Sequence, residues 1–172
     1  MARSDRPVIQ LDPTPGEQLL DWASLLGLVL TLAFLAASWG GLPERVPVHF
    51  GASGQPDGWG SRNTLWLFAV VPLVIHVGFG LLVRVPHIYN YPTRVTPENA
   101  ERLYRQGRQL MYWLRAEMVW LFAFLCWGTV RVAQGRAQGL GDGFLYVALF
   151  VIYGTVIWFL VGMIRARGAR AS

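Results

Sequence analysis

The chain has 172 residues, of which 53% are hydrophobic, and a formal net charge of +5. Its mean hydropathy of +0.36 lies above the range of ordinary soluble domains and favours the membrane class. The basic residues are all arginines and lie mainly between apolar segments, so a membrane explains them and a nucleic-acid partner is not expected. The single cysteine, Cys126, excludes an intrachain disulfide and a cysteine-based zinc site.

Four apolar segments approach the length of about 20 residues that a helix needs to span a membrane: residues 22–39, 65–83, 111–130 and 144–164. The first, second and fourth carry no charged residue, which the one-sided burial of a soluble helix does not explain. We therefore predict an all-α integral membrane protein with a single domain over residues 1–172. It is a bundle of four transmembrane helices at about 15–39, 65–83, 97–131 and 144–165.

The first helix is predicted to begin after Thr14, because Thr14, Pro15 and Glu17 have the spacing of a capping box with proline in the first turn. Residues 1–13 are polar, contain two prolines and are expected to be loose. Small residues recur every four positions along the helix: Ala23, Gly27 and Thr31. This stripe predicts close packing against another helix of the same chain.

Residues 40–64 are predicted to form a compact loop on the extracytoplasmic side, between the first two helices. Arg45–Phe50 alternates with period two, which predicts a short extended segment, and Pro47 limits it to an edge strand. The residues expected on one face are Val46, Val48 and Phe50. Residues 55–58 fit a turn, with Pro56 at its second position.

The third helix is predicted to start near Thr96, after an irregular stretch over residues 84–92. Three arginines follow on one face and are expected to lie on anionic lipid: Arg102, Arg105 and Arg108. Arg115 is expected to extend to the membrane surface. Residues 135–143 predict a short glycine-rich turn before the fourth helix.

The distribution of arginines predicts the orientation. Ten lie before the first helix, between the second and third, or after the fourth: Arg3, Arg6, Arg84, Arg94, Arg102, Arg105, Arg108, Arg165, Arg167 and Arg170. Four lie in the other two loops: Arg45, Arg62, Arg131 and Arg136. Both termini are therefore expected in the cytoplasm, with the chain in a bacterial cytoplasmic (inner) membrane.

Two sequence blocks carry a family resemblance. Residues 42–50 read LPERVPVHF and residues 54–61 read GQPDGWGS, which resembles the signature of the bacterial membrane family called domain of unknown function 1648. Residues 90–92 and 96–104, NYP and TPENAERLY, look like a second block of related chains. Most members have no known activity, and a better-known relative is an immunity protein against a sporulation-delaying toxin. The resemblance implies a membrane protein of the immunity or signalling type and no catalytic residue.

The outer loop holds the candidate ligand-binding residues, namely Pro47, His49, Gly54, Asp57 and Trp59. In a structural interpretation, Asp57 caps its own turn and His49 bonds to Asp57 or to a carbonyl. In a functional one, the loop binds a peptide or another ligand. Glu44, His49 and Asp57 are weak candidates for a divalent metal, but no hydrolase motif accompanies them. We predict no cofactor and no catalytic residue.

His76 and Glu117 are ionisable residues inside predicted spans, where such residues indicate a functional site by default. Helix rise places both at a similar depth of about 10 Å from one end, so they are plausible partners in an antiparallel helix pair. They would form either a static polar clasp or part of a proton path.

Three functions remain open. The first is a non-enzymatic membrane protein that binds a peptide, a toxin or a membrane-protein partner through its outer loop. The second is a transporter or channel-like subunit, which requires a homo-oligomer because four helices enclose little space. The third is a metal-assisted membrane hydrolase, which needs three convergent ligands.

Overall fold

A computed structural model describes residues 6–165 of the chain. Over these residues it has four α-helices: α1 (Pro15–Ser38), α2 (Leu67–Leu82), α3 (Ala100–Ala133) and α4 (Phe144–Arg165). Two strands, β1 (Arg45–Phe50) and β2 (Pro56–Ser61), form an antiparallel hairpin between α1 and α2. Short 3-10 helices cover Trp39–Gly41, Arg62–Trp66 and Pro86–Ile88. The fold is therefore mostly helical rather than all-α.

Four helical segments of the described chain are long and apolar enough to cross a membrane, as predicted, when α2 is counted together with the 3-10 helix that precedes it (Arg62–Leu82). Large apolar side chains on their outer faces are exposed, among them Val74, Phe150 and Trp158. Such surfaces are unfavourable in water but are the expected boundary of a protein surrounded by lipid. The helices therefore indicate a multi-pass membrane protein.

Helix α1 begins at the predicted capping box. The hydroxyl of Thr14 accepts a hydrogen bond from the Glu17 N–H at 3.2 Å, and the Glu17 carboxylate accepts one from the Thr14 N–H at 2.8 Å. These two bonds satisfy backbone donors that the helix itself leaves without partners.

The start of α3 differs from the prediction, because residues 96–99 form a turn. The Ala100 N–H donates to the Thr96 carbonyl at 2.9 Å, and the Asn99 side chain accepts from the Thr96 N–H at 2.8 Å. The helix follows from Ala100.

Helix α3 is the centre of the fold, because it contacts each of the other three helices. It runs parallel to α1, since Arg108 near its start contacts Glu17 near the start of α1. It runs antiparallel to α2 and α4, and Phe144 at the start of α4 stacks on Phe124 in the second half of α3. With 34 residues it is about 50 Å long, which exceeds a hydrocarbon core of about 30 Å. Its first turns therefore extend beyond the apolar segment.

Buried apolar side chains form two separate clusters at opposite ends of α3. The hairpin-side cluster contains Leu35, Leu42, Val46, Leu65, Cys126 and Val130. The linker-side cluster contains Val95, Ala100, Leu103, Tyr104 and Met163. Because Val46 of β1 is completely buried in the first cluster, the hairpin is part of the core rather than a loose appendage.

The segment before α1 is ordered where the structure describes it, so the expectation of a loose chain is wrong for residues 6–13. The Tyr104 hydroxyl donates to the Pro7 carbonyl at 3.0 Å, and Arg108 donates to the Leu11 carbonyl at 2.5 Å. Arg6 in turn donates to the carbonyls of His87 and Tyr89. Residues 1–5 and the arginines Arg3, Arg167 and Arg170 lie outside the described residues.

Two tyrosines fix the linker between α2 and α3. Tyr89 donates to the Leu82 carbonyl at 2.7 Å, and Tyr91 donates to the Pro86 carbonyl at 2.9 Å. Burial raises the pKa of both phenols, so both remain protonated donors. A side chain at Gly107 of α3 would meet the Tyr91 hydroxyl at 2.8 Å, which shows how closely the linker packs on this helix.

The predicted small-residue stripe packs against α3 within the chain. Gly27 and Thr31 are buried, whereas Ala23 is half-buried. A Cβ atom at Gly27 would lie 2.8 Å from the Val119 side chain, closer than van der Waals contact allows. Only glycine therefore permits this approach of α1 to α3.

We expect Gly27→Leu to lower the free energy of unfolding in detergent by about 1–3 kcal/mol, because the added side chain forces the two helices apart. Gly154→Leu on α4 is the matched control, since a Cβ there meets nothing within 4 Å. Equal stability of the two variants in thermal unfolding would contradict the close contact.

Candidate functional site

The hairpin places the predicted loop residues in an irregular two-stranded sheet. Pro47 lies opposite Trp59 and His49 opposite Gly58, with irregularities on both sides of His49. Burial along β1 does not follow the predicted alternation: Val46 and Pro47 are buried, whereas Val48 is exposed. The two irregularities cancel, because Phe50 lies opposite Pro56 in the same register as Arg45 opposite Ser61, and only the pairing around His49 is displaced.

The turn of the hairpin lies at residues 51–54, before the predicted turn at 55–58. The Gly54 N–H donates to the Gly51 carbonyl at 2.9 Å, and the Gly51 N–H donates to the Gln55 carbonyl at 2.9 Å. Gly54 has φ of +76°, a left-handed conformation that favours glycine. Residues 56–61 consequently form a strand instead of a turn.

Gly54 also anchors the hairpin to the loop between α3 and α4. Its carbonyl accepts a hydrogen bond from the Leu140 N–H at 2.8 Å, and a Cβ on Gly54 would collide with the backbone of Gly141. Gly54 is buried as a result. The structure therefore gives this predicted ligand-binding residue a role in joining two backbone segments.

His49 and Asp57 come together on the hairpin. The His49 Nδ1 atom lies 2.5 Å from an Asp57 carboxylate oxygen, with the two side chains 72% and 53% exposed. A Cβ at Gly58 would lie 3.0 Å from the His49 Cβ, so glycine leaves room for the imidazole across the strands. A polar contact this exposed contributes little to stability, typically below about 1 kcal/mol. Its polar atoms are accessible to a partner.

The other predicted loop residues divide between core and surface. Pro47 is fully buried, whereas Val48 and Trp59 are 45% and 47% exposed. The exposed side chains of the hairpin include Val48, His49, Asp57 and Trp59, and we call these four the hairpin surface. This surface combines the apolar side chains of Val48 and Trp59 with the polar contact between His49 and Asp57.

Of the three residues predicted as weak candidates for metal ligands, only His49 and Asp57 lie next to each other. Within residues 6–165 no group of three His, Cys, Asp or Glu side chains has an arrangement that could hold a metal ion. Glu44 instead lines a shallow depression with Arg45 and Arg62. A zinc hydrolase needs three protein ligands and an open position.

The structure does not bring His76 and Glu117 together. Glu117 accepts a hydrogen bond from Thr155 of α4 at 2.5 Å, whereas His76 lines a cavity with Asp21 and Arg115. Arg115 and Glu117 are two positions apart on α3, about 200° around the helix, and therefore face different neighbours. Similar depth in the membrane was the basis of the predicted pairing, but rotation around α3 separates the two residues.

Two ion pairs join α1 to α3, one buried on both sides and one with an Asp21 side chain that is 44% exposed, and sequence reasoning missed both. An Arg108 nitrogen lies 3.0 Å from a Glu17 carboxylate oxygen, and an Arg115 nitrogen lies 2.5 Å from an Asp21 oxygen. Both arginines are almost completely buried, so Arg108 does not lie on lipid and Arg115 does not extend to the surface. The prediction treated arginines as solvated charges because it did not consider acidic partners on another helix.

A signal for these pairs was present in the spacing. Glu17 and Asp21 are four residues apart and lie on one face of α1, while Arg108 and Arg115 are seven apart and lie on one face of α3. Two parallel helices with complementary charges at these spacings predict paired contacts.

Comparison with known proteins identifies the hairpin region as the matched part of the chain. Residues 26–73 match the family described as "Domain of unknown function (DUF1648)". They extend from α1 through the hairpin into α2. The likeness to a toxin-immunity protein has no counterpart in these matches.

One curated relative is an "Uncharacterized protein" of Archaeoglobus fulgidus, 33% identical over 96 residues. The match covers 49% of this chain and 52% of the relative, so the chain spans about half the length of the curated relative it matches. No solved structure matches the chain.

We expect Gly54→Ala to destabilise the hairpin by about 1–3 kcal/mol, because the substitution strains a left-handed residue and displaces the Gly141 backbone. Hydrogen exchange of residues 45–61 measures the effect as faster exchange. Gly143→Ala is the control, since a Cβ there meets nothing within 4 Å. Unchanged exchange in Gly54→Ala would contradict the docking of the hairpin turn.

We expect Glu17→Gln to lower the free energy of unfolding by about 3–5 kcal/mol, because Arg108 remains buried without its counter-charge. Glu101→Gln serves as the control: its pair with Arg105 is solvent-exposed, and its loss should cost under about 1 kcal/mol. Denaturant titrations in detergent compare the two, and a second substitution, Arg108→Gln, should restore part of the stability. Similar losses of unfolding free energy in Glu17→Gln and Glu101→Gln would show that the buried pair contributes no more to stability than the exposed one.

Proposed function

We propose that this chain is a small non-enzymatic multi-pass membrane protein that binds a peptide segment of another protein through its hairpin surface. In this proposal the hairpin lies outside the cytoplasm and both termini lie inside. The observation that carries the proposal is an exposed Trp59 and Val48 on a hairpin whose backbone is held at both ends.

Rigidity of the hairpin supports this proposal. Val46 is buried against α3, and Gly54 is hydrogen-bonded to the α3–α4 loop, so little conformational freedom is left to lose on binding. Tryptophan is enriched among residues that dominate binding energies, and an exposed Trp59 beside accessible polar groups fits that role.

The distribution of charge supports the proposed orientation. Among described residues, seven arginines lie at the linker end, namely Arg6, Arg84, Arg94, Arg102, Arg105, Arg108 and Arg165. Four lie at the hairpin end, namely Arg45, Arg62, Arg131 and Arg136. Arginine-rich ends favour the cytoplasmic side.

The alternative of a transporter subunit lacks a supporting observation. It needs polar residues that line one path through the helices, and the described structure directs His76 and Glu117 toward different neighbours. The hydrolase alternative lacks a third metal ligand near His49 and Asp57 among residues 6–165.

Photocrosslinking tests the proposal. A photoreactive residue at Trp59, in native membranes, is expected to give a discrete protein adduct, which Asp57→Ala should weaken because the substitution removes an accessible charge of the hairpin surface. A probe at Trp158, which is 78% exposed on α4, controls for nonspecific contacts in the membrane. Identical adducts from both probes, or none from Trp59, would contradict the proposal.

Cysteine labelling tests the proposed orientation separately from the binding proposal. Cys126 is fully buried and should not react with an impermeant maleimide, so single cysteines introduced at Ala52 and Arg94 report the two ends of the helices. The proposal expects labelling of Ala52→Cys in intact cells and of Arg94→Cys only after lysis. The reverse pattern would overturn the orientation.

A further inference from the structure

A polar cavity of about 780 Å³ lies at the linker end of the helices, between α1, α2, α3 and the segment before α1. This volume is in the range of sites that hold small organic ligands. The cavity lies at the opposite end of the helices from the hairpin surface, and neither the matched family region nor the proposed function includes its arginines.

The walls of the cavity carry an excess of positive charge. Arg84, Arg108 and Arg115 line it, and Asp21 is the only carboxylate among its lining residues within the described chain. Even when Glu17, the partner of Arg108, is included, three guanidinium groups face two carboxylates. With both lining histidines neutral, the site retains a net charge of about +1. An anion would restore neutrality.

Hydrogen-bonding capacity is also unused at this cavity. In the described structure the Nε atoms of Arg108 and Arg115 and the Nδ1 atom of His76 are buried without a hydrogen-bond partner. Arg108 is 6% exposed and Arg115 is 2% exposed. Buried donors without partners are costly, so the two guanidinium Nε–H groups favour an occupant that accepts hydrogen bonds.

One side of the cavity is apolar and open. Val77 and Leu81 of α2 line it and are about half exposed on the outer face of that helix. In a membrane, this face borders the acyl chains of the surrounding lipid. The rim near α1 is held by the contacts of Arg6 with the linker carbonyls and of Arg108 with Leu11.

We propose that this cavity binds the phosphate group of an anionic amphiphile, with its apolar chain along Val77 and Leu81. Guanidinium groups match phosphate oxygens in geometry and charge, and Arg84, Arg108 and Arg115 supply several donors at one place. An anionic phospholipid and a soluble phosphate ester share this headgroup chemistry. The apolar wall distinguishes them, because only the lipid gains from contact with α2.

Thermal unfolding of the full-length protein in uncharged detergent tests the proposal, with titration of three ligands. These are dioleoyl phosphatidylglycerol, dioleoyl phosphatidylcholine and glycerol 3-phosphate. We expect saturable stabilisation by phosphatidylglycerol and little by the zwitterionic lipid. Equal stabilisation by glycerol 3-phosphate would support the phosphate site and identify a soluble ester as its ligand.

Two variants probe the cavity without removing either buried ion pair. Arg84→Gln removes a lining charge and should raise the half-saturating concentration about tenfold, the effect of one charge-assisted hydrogen bond. Val77→Trp occupies cavity volume and should also raise the half-saturating concentration, because the larger side chain excludes the ligand. Val74→Trp and Arg136→Gln are matched controls, since neither residue lines the cavity. No saturable stabilisation by either anionic ligand, or equal responses of Val77→Trp and Val74→Trp, would overturn the proposal.

Discussion

Buried charge between α1 and α3 is the constraint on which the rest of the fold depends. Arg108 and Arg115 are buried and meet Glu17 and Asp21, so each arginine requires its carboxylate partner in place. These contacts set the register of two parallel helices, and the absence of a side chain at Gly27 lets them approach. Because α2, α4 and the hairpin all contact α3, the register of this one pair is transmitted to every other element.

The two ends of the molecule differ in chemistry as a consequence. At the hairpin end the core is apolar, and the accessible polar groups lie on an exposed two-stranded sheet. At the linker end, ion pairs and unpaired nitrogen atoms surround a cavity beside the second apolar cluster. The matched family region covers the hairpin but ends before Arg84, Arg108 and Arg115, so the cavity has features outside the matched segment. Recognition at one end and anion binding at the other are therefore independent proposals.

Several predictions failed for one shared physical reason, namely that each considered a segment without its neighbours. Residues 6–13 are polar and proline-rich, but their carbonyls accept bonds from Tyr104 and Arg108 far along the chain. Strand alternation failed because burial in β1 depends on which elements cover each residue, and Val46 and Pro47 are both covered whereas Val48 is not. His76 and Glu117 share a depth but not a helix face, and depth alone does not determine contact.

The sequence by itself determined the four apolar helices, the capping box at Thr14 and the small-residue contact at Gly27. These features depend on composition, local hydrogen bonds and helical periodicity, all of which are written in short stretches of chain. Asp57 was one of the two structural partners that the sequence offered for His49, and the structure confirms this contact. Tertiary structure alone decided that Gly54 packs on the α3–α4 loop and that Arg115 lies inside. Each of these outcomes depends on which other element packs against the residue. In a chain with several apolar helices, many packing arrangements are compatible with the same hydrophobic pattern along the sequence.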